Sequence, residues 1–200
     1  MTDQLKNNLK NLSLTFSEID NNRFEKLHQI TDYIAKTKQN KICHLIFICT
    51  HNSRRSQIAQ ALGLAAAQYY GISDVKIYSG GTEITSFYFQ AIRALKNFGF
   101  VFTSEDKSGN PHYSLQNFKG EVFFSKKFND PANPMEHFCA IMTCADADSN
   151  CPHVSGAEKR IALPFEDPKK YDKHDNAEHY YSQCLREIGR EIMYVFASLK

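Results

Sequence analysis

The chain opens on apolar residues spaced for helices. Leu5, Leu9 and Leu12 recur one turn apart, and Leu27, Ile30 and Ile34 repeat the pattern further on. Ser17 and Asp20 are candidate N-caps for the second of these helices. Residues 1–40 therefore read as a polar helical extension, an arm that packs on the main body or on a partner, and nothing in it suggests chemistry. The pattern changes at Lys41. Residues 42–49 are a near-continuous apolar run, interrupted by His44, of the kind that suits a strand buried on both faces of a parallel sheet. A polar turn follows, Cys49-Thr50-His51-Asn52-Ser53-Arg54-Arg55-Ser56. Ile58, Ala61, Leu62, Ala65, Ala66 and Tyr69 then mark one face of a helix that Gly71 terminates.

Residues 75–78 read as a second strand. Ile92, Leu95 and Phe98 read as a helix with Gly99 just past its end. A loop over 105–111, a hairpin-like excursion over 113–128 and a turn cluster over 129–134 precede an apolar strand at 138–144. A long helical stripe runs from Tyr181 to Leu199, and Asp175 and Glu178 have capping-box spacing at its start. Strand and helix alternate, which predicts an α/β fold: a doubly wound parallel sheet flanked by helices, formed by residues 41–200 behind the 1–40 extension.

Composition narrows the function classes. Of 200 residues, 42% are apolar and 23% charged, which excludes global disorder. The run at 42–49 falls well short of the roughly 18 residues that span a bilayer. A formal charge of +2 gives no electrostatic footprint for nucleic acid. The polar N-terminus shows no secretory signal, so a reducing cytoplasm is expected, where six cysteines are more readily catalytic or metal-binding than structural staples. Cys139 and Cys144, and His174 and His179, have zinc half-site spacing, but the pairs lie too far apart for a finger, and no metal is expected.

The turn after residues 42–49 is the sharpest signal. Ligands in an α/β sheet bind beyond the carboxyl ends of the strands, and Cys49 sits at such an end. The helix that follows presents unpartnered N–H groups and about half a positive charge to an anion. The dipole and Arg55 favour the thiolate of Cys49. Five residues between Cys49 and Arg55 let one loop wrap a tetrahedral oxyanion, with the arginine fork on two of its oxygens. Ser56 is a hydroxyl donor for the sulfur, and Asn52 suits the left-handed turn that such a loop needs.

Cys-x5-Arg-Ser after an apolar strand resembles the low-molecular-weight phosphotyrosine phosphatase superfamily, and Asp167-Pro168 extends the likeness. The resemblance implies a general-acid role for Asp167, and a substrate loop made of Thr50, His51, Asn52, Ser53, Arg54, Arg55 and Ser56. Cys144-Ala-Asp-Ala-Asp-Ser-Asn-Cys151 is similar to the corresponding segment of thioredoxin-coupled arsenate reductases. That likeness implies a relay: Cys49 attacks arsenate, Cys144 releases arsenite, and a Cys144–Cys151 disulfide is reduced by thioredoxin or a similar thiol donor, with no bound cofactor. On a regular helix the Cα atoms of these two cysteines would lie about 10 Å apart at ~1.5 Å rise per residue. A disulfide needs at most about 7 Å. The segment is therefore expected to be ordered when reduced and looped out when oxidised.

Two departures stand out. His51 occupies a position that is usually glycine in the family, so its side chain must leave the loop or distort it. Arg54 stands where many arsenate reductases have a further cysteine. The rival readings are a phosphotyrosine or other phosphomonoester phosphatase using Cys49, Arg55, Ser56 and Asp167, and a non-catalytic oxyanion-binding protein.

Overall fold

The computed structural model describes residues 1–200 apart from 40, 105 and 152. Glu105, at the head of the loop over 105–111, and Pro152, after Cys151, thus lie outside the described residues. The N-terminal leucines form α1 (Asp3–Ser13), and Leu27, Ile30 and Ile34 are buried on α2 (Phe24–Thr37). The apolar run becomes β1 (Cys43–Cys49), and the polar turn leads into α3 (Arg55–Tyr70). Then come β2 (Val75–Gly81), α4 (Phe89–Phe98) and three short strands: β3 (Phe102–Thr103), β4 (Tyr113–Leu115) and β5 (Val122–Phe123). The last third holds β6 (Phe138–Met142), α5 (Ala145–Asn150), β7 (Ala157–Ala162) and α6 (Ala177–Ala197).

The main sheet is parallel throughout, in the order β2-β1-β6-β7. β1 is therefore interior and buried along nearly its whole length, as its unbroken apolar run requires. The sheet is the expected α/β arrangement, but its faces are covered unequally. Leu45, Phe47, Cys139 and Ile141 face a large core that also takes in Leu5, Leu9, Leu27, Ile34, Leu62, Leu95 and Ile188. Ile46, Ile48, Ala140 and Met142 face a smaller core closed by Ala147 of α5, Val154 and the partly buried Tyr78 and Phe128. Residues 1–39 pack into the large core through Leu5, Leu9, Leu12, Leu27, Ile30 and Ile34. Gly71 and Gly99 end α3 and α4 with φ of 67° and 111°, the left-handed cap that glycine adopts without strain.

Two local expectations need correction, and one strand was not foreseen. Neither Ser17 nor Asp20 caps α2: Asp20 instead precedes a 3-10 turn (Asn21–Arg23) that runs into the helix, and its side chain makes no cap bond. The Asp175/Glu178 capping box does not form, since α6 starts after Asn176. Glu178 instead pairs with Arg93 (2.8 Å) and accepts from Asn97 Nδ2 (2.7 Å) on α4, so tertiary contacts win over the local one. β7 was invisible in the pattern because its edge position leaves Glu158, Lys159 and Arg160 among few apolar residues. Among the described residues no helix is long and apolar enough to cross a membrane.

Candidate active site

Cys49 is the last residue of β1 and Arg55 the first of α3, so the loop between them spans the carboxyl edge of the sheet. Cys49 lies at the base of this loop, 4% exposed. Its sulfur is 3.1 Å from Ser56 Oγ. Asn52 Nδ2 donates to the same oxygen at 2.8 Å, which leaves the Ser56 hydrogen free to point at the sulfur. Asn52 has φ of 46°, in the left-handed region. It is fully buried, and its Oδ1 accepts from the Lys126 backbone N–H (2.9 Å) and from Gln57 Nε2 (3.2 Å).

The loop is braced from outside. Ser125 Oγ donates to the His51 carbonyl at 2.8 Å, Gln57 Nε2 donates to the Phe124 carbonyl at 2.8 Å, and Tyr88 N–H donates to the Ser53 carbonyl at 3.0 Å. Gly81 on β2 passes so close that a Cβ there would sit 2.7 Å from the Thr50 carbonyl and 2.8 Å from Asn52 N. The excursion read only as a hairpin is thus the scaffold of the loop, and Gln57, Ser125 and Lys126 were missed as its supports. The faint signal of the last two is a polar triplet, Ser125-Lys126-Lys127, set between Phe124 and Phe128.

The two arginines diverge. Arg55 Nη2 donates to Asp167 Oδ2 at 2.5 Å, and Nη1 donates to the Phe165 carbonyl at 2.9 Å. Asp167 starts a 3-10 turn (Pro168–Tyr171), its Oδ1 accepting from Lys169 N–H at 3.0 Å. Arg54 turns instead to Asp172 (2.5 Å) and the Tyr181 hydroxyl (2.6 Å). His51 points out of the loop, one of the two outcomes expected for its side chain, and its Nε2 meets Glu83 at 3.2 Å.

The cysteines fall into two groups. Cys43, Cys139 and Cys184 are core residues. Burial pushes the Cys43 and Cys184 thiols up to about 12 and raises that of Cys139 as well, which keeps all three protonated and inert. Cys144 follows β6, the strand beside β1, and its sulfur is 3.5 Å from the Thr50 hydroxyl, one residue from Cys49. It also caps α5, accepting from Ala147 N–H at 3.3 Å. Cys151 is the C-cap of the same helix and is half-buried, with its thiol on the His153 carbonyl at 3.3 Å. All six thiols are free, and the two sulfurs of the expected pair bracket an intact helix.

Comparison with known proteins decides the family. The low molecular weight phosphotyrosine protein phosphatase profile matches residues 44–107, the stretch that contains the cradle. An arsenate reductase of Staphylococcus aureus (strain Newman) is 30% identical over 125 residues, covering 62% of this chain and 77% of that protein. The chain belongs to the superfamily of low-molecular-weight phosphatases and arsenate reductases. A Bacillus subtilis arsenate reductase is 28% identical over 155 residues, 77% of this chain and 94% of that protein. Among solved structures, a low molecular weight phosphotyrosine phosphatase from Vibrio cholerae superposes with a TM-score of 0.56 at 12% identity, covering 78% of this chain and 95% of that one. An arsenate reductase in its phosphate-binding state gives 0.52 at 15% identity, covering 79% and 99%. These structural likenesses establish the shared fold, and membership makes the chain an enzyme of this superfamily.

Proposed function

We propose that the protein reduces arsenate to arsenite through Cys49, Cys144 and Cys151. The observation that carries this reading beyond a phosphatase is the second sulfur: Cys144 Sγ lies against the Thr50 hydroxyl, at the rim of the Cys49 loop. A hydrolase needs no thiol there. The named arsenate reductases among its relatives support the same choice.

In the proposed sequence, arsenate settles on the amides of the loop, with Asn52 shaping the turn and Ser53 and Arg55 binding its oxygens. Arg55 exchanges Asp167 for the oxyanion, a bidentate match for its fork. The thiolate of Cys49 forms a sulfur–arsenic bond while Asp167 protonates the oxygen that leaves as water. The Cys144 thiolate then attacks the Cys49 sulfur. A Cys49–Cys144 disulfide forms, the sulfur–arsenic bond breaks, and its electron pair stays on arsenic, which departs as arsenite. Cys151 attacks Cys144, frees Cys49 as a thiolate and leaves the Cys144–Cys151 disulfide. That last step requires α5 to unwind, because its two ends stand a helix length apart. A thioredoxin-type dithiol returns the pair to thiols.

The test is mass spectrometry after arsenate treatment without a thiol donor, joined to turnover of single variants. A Cys144–Cys151 bridge is expected, with arsenate turnover lost in Cys144→Ser and in Cys151→Ser, and a drop of about 10³-fold or more in Cys49→Ser. Phosphomonoester hydrolysis indifferent to the first two substitutions, with no arsenate turnover, moves the assignment to a phosphatase. Oxyanion binding with neither activity moves it to a binding protein.

A further inference from the structure

We propose that Arg54 is a positioning residue: it holds the Asp167 loop to the cradle while Arg55 is occupied by the oxyanion. The proposal rests on reading residues 49–56 as the oxyanion cradle and Asp167 as its acid.

Two consecutive arginines grip one loop at two carboxylates, Arg55 at Asp167 and Arg54 at Asp172. The first grip is exchangeable. An oxyanion in the cradle competes for the same guanidinium, and when it wins, Asp167 loses its partner just as it must stay aimed at the leaving oxygen. The second grip is closed on itself. Arg54 Nε donates to the Tyr181 hydroxyl at 2.6 Å, that hydroxyl donates to Asp172 Oδ1 at 2.6 Å, and Asp172 Oδ2 accepts from Arg54 Nη2 at 2.5 Å. The Tyr88 ring covers the guanidinium 3.9 Å from its carbon. The side chains of Arg54 and Asp172 are only 12% and 18% exposed, and Tyr181 is fully buried on α6. A guanidinium with its fork on a carboxylate and its face on an aromatic ring has little to gain by turning to a substrate.

The other ties of this loop do not reach the cradle. Tyr171 stacks on Tyr180 of α6 at 3.4 Å between ring centres, and Lys170 pairs with Glu166 inside the loop itself. Arg23 donates to the Pro164 carbonyl at 2.9 Å, ahead of the acid. Tyr88, whose N–H holds the Ser53 carbonyl, packs on the Arg54–Asp172 cluster, and once Arg55 lets go, Arg54 is the cradle's own side chain that still reaches the loop beyond Asp167. A cysteine at this position could not do so, which gives the departure noted in the sequence a purpose.

The experiment compares wild type, Arg54→Gln and Arg54→Lys by amide exchange, with and without inorganic phosphate, and by arsenate turnover with excess dithiol. Exchange over residues 166–173 is expected to rise about fivefold or more in Arg54→Gln and to rise further with phosphate, while wild type shows no such rise and residues 43–49 and 138–142 stay protected in both. Turnover is expected to lose about tenfold in kcat with KM changed less than about threefold, and Arg54→Lys to recover part of each. Asp172→Asn, which leaves the cradle sequence intact, is expected to reproduce the loop exchange. Equal loop exchange in wild type and Arg54→Gln at saturating phosphate overturns the proposal. So does a rise in KM at unchanged kcat, which would put Arg54 on the substrate. If phosphate leaves the amides of residues 50–56 unprotected in wild type, the cradle reading fails instead, a result distinct from either.

Discussion

Cys49 and Cys144 close neighbouring parallel strands, and each leads into a helix, yet the two segments are built for opposite behaviour. Behind Cys49 stands a helix of 16 residues, and the loop between is pinned by Asn52, Gln57, Ser125, the Lys126 N–H and the close pass of Gly81. Behind Cys144 stands a helix of six residues with one buried side chain, Ala147, and two acids in its first turn. From the rest of the sheet it is held by Arg160 of β7, which donates to the Asp148 carbonyl (2.5 Å) and the Cys151 carbonyl (3.1 Å) and lies 2.6 Å from the Asp148 carboxylate as an ion pair. An oxyanion site gains from donors fixed before the charge arrives. A segment that must bring two distant thiols together gains from being weakly held. The same strand–cysteine–helix motif thus yields a tightly braced loop in one copy and a loosely held segment in the other, as the proposed relay requires.

The largest break in this contrast is Asn52→Ala. It removes the donor to Ser56, orphans the buried Lys126 N–H, takes away the Oδ1 contact of Gln57 and forces alanine into a left-handed φ. At about 1–3 kcal/mol for each buried group left unpaired, the expected loss is about 3–5 kcal/mol of global stability. Denaturant unfolding measures it, and a cost below about 1 kcal/mol would show that the cradle is held by something other than this network. Activity is expected to fall with it, because the left-handed turn sets where the loop amides point.

A second change should act on the cradle's support with the opposite sign. Lys126 is 3% exposed, its ammonium lies 4.7 Å from the Phe124 ring centre, and burial brings its pKa down to about 8. The unfolded chain therefore holds this proton over a window, from about 8 up to the ordinary lysine value, in which the folded one has released it. Stability contributed by this group rises with pH across that window, and below it the buried charge is a standing cost. Lys126→Met keeps the backbone N–H that Asn52 needs and removes the charge. It is expected to gain about 1–3 kcal/mol at neutral pH, with the difference from wild type shrinking as pH climbs through the window. Thermal unfolding of both proteins at matched pH gives that difference directly, free of the thiols and tyrosines that titrate nearby. A difference independent of pH would mean that the ammonium is not the cause.

The cradle was legible in the sequence because its parts are contiguous. Cys49, Asn52, Arg55 and Ser56 belong to one strand–turn–helix unit, so spacing alone brings them together. The extension was legible because Leu5, Leu9, Leu12, Leu27, Ile30 and Ile34 keep helical period whatever they pack on. Its capping was not: α1 is capped by Thr2, whose side chain accepts from Leu5 N–H at 3.2 Å, and nothing apolar marks that position. Asp172, Tyr181, Ser125 and Arg160 were illegible for a different reason. Each acts on a residue far away along the chain, and a lone polar residue carries no sign of which partner the fold will bring to it. β7 escaped because an edge strand with one buried residue, Ile161, and three charged residues in a row has no period to detect.

The smallest expected effect tests the loose half of the contrast. Arg160 and Asp148 are 25% and 31% exposed, so solvent screens the pair and its contribution is about 1 kcal/mol or less. Its three contacts all fall on residues 148–151, the C-terminal turn of α5. Arg160→Met, which keeps the length of the side chain on β7, should therefore speed amide exchange over residues 146–151 by about fivefold, and leave global unfolding changed by less than about 1 kcal/mol. In the proposed relay it should also hasten closure of the Cys144–Cys151 disulfide after arsenate treatment, because the helix that separates the two sulfurs opens more often. Hydrogen exchange followed by mass spectrometry, and a quench-and-alkylate time course, read the two effects separately. Faster exchange without faster closure would place the barrier in thiol chemistry. Unchanged exchange would mean that α5 is held by Ala147 and the Cys144 cap, and that the clasp from β7 adds nothing to it.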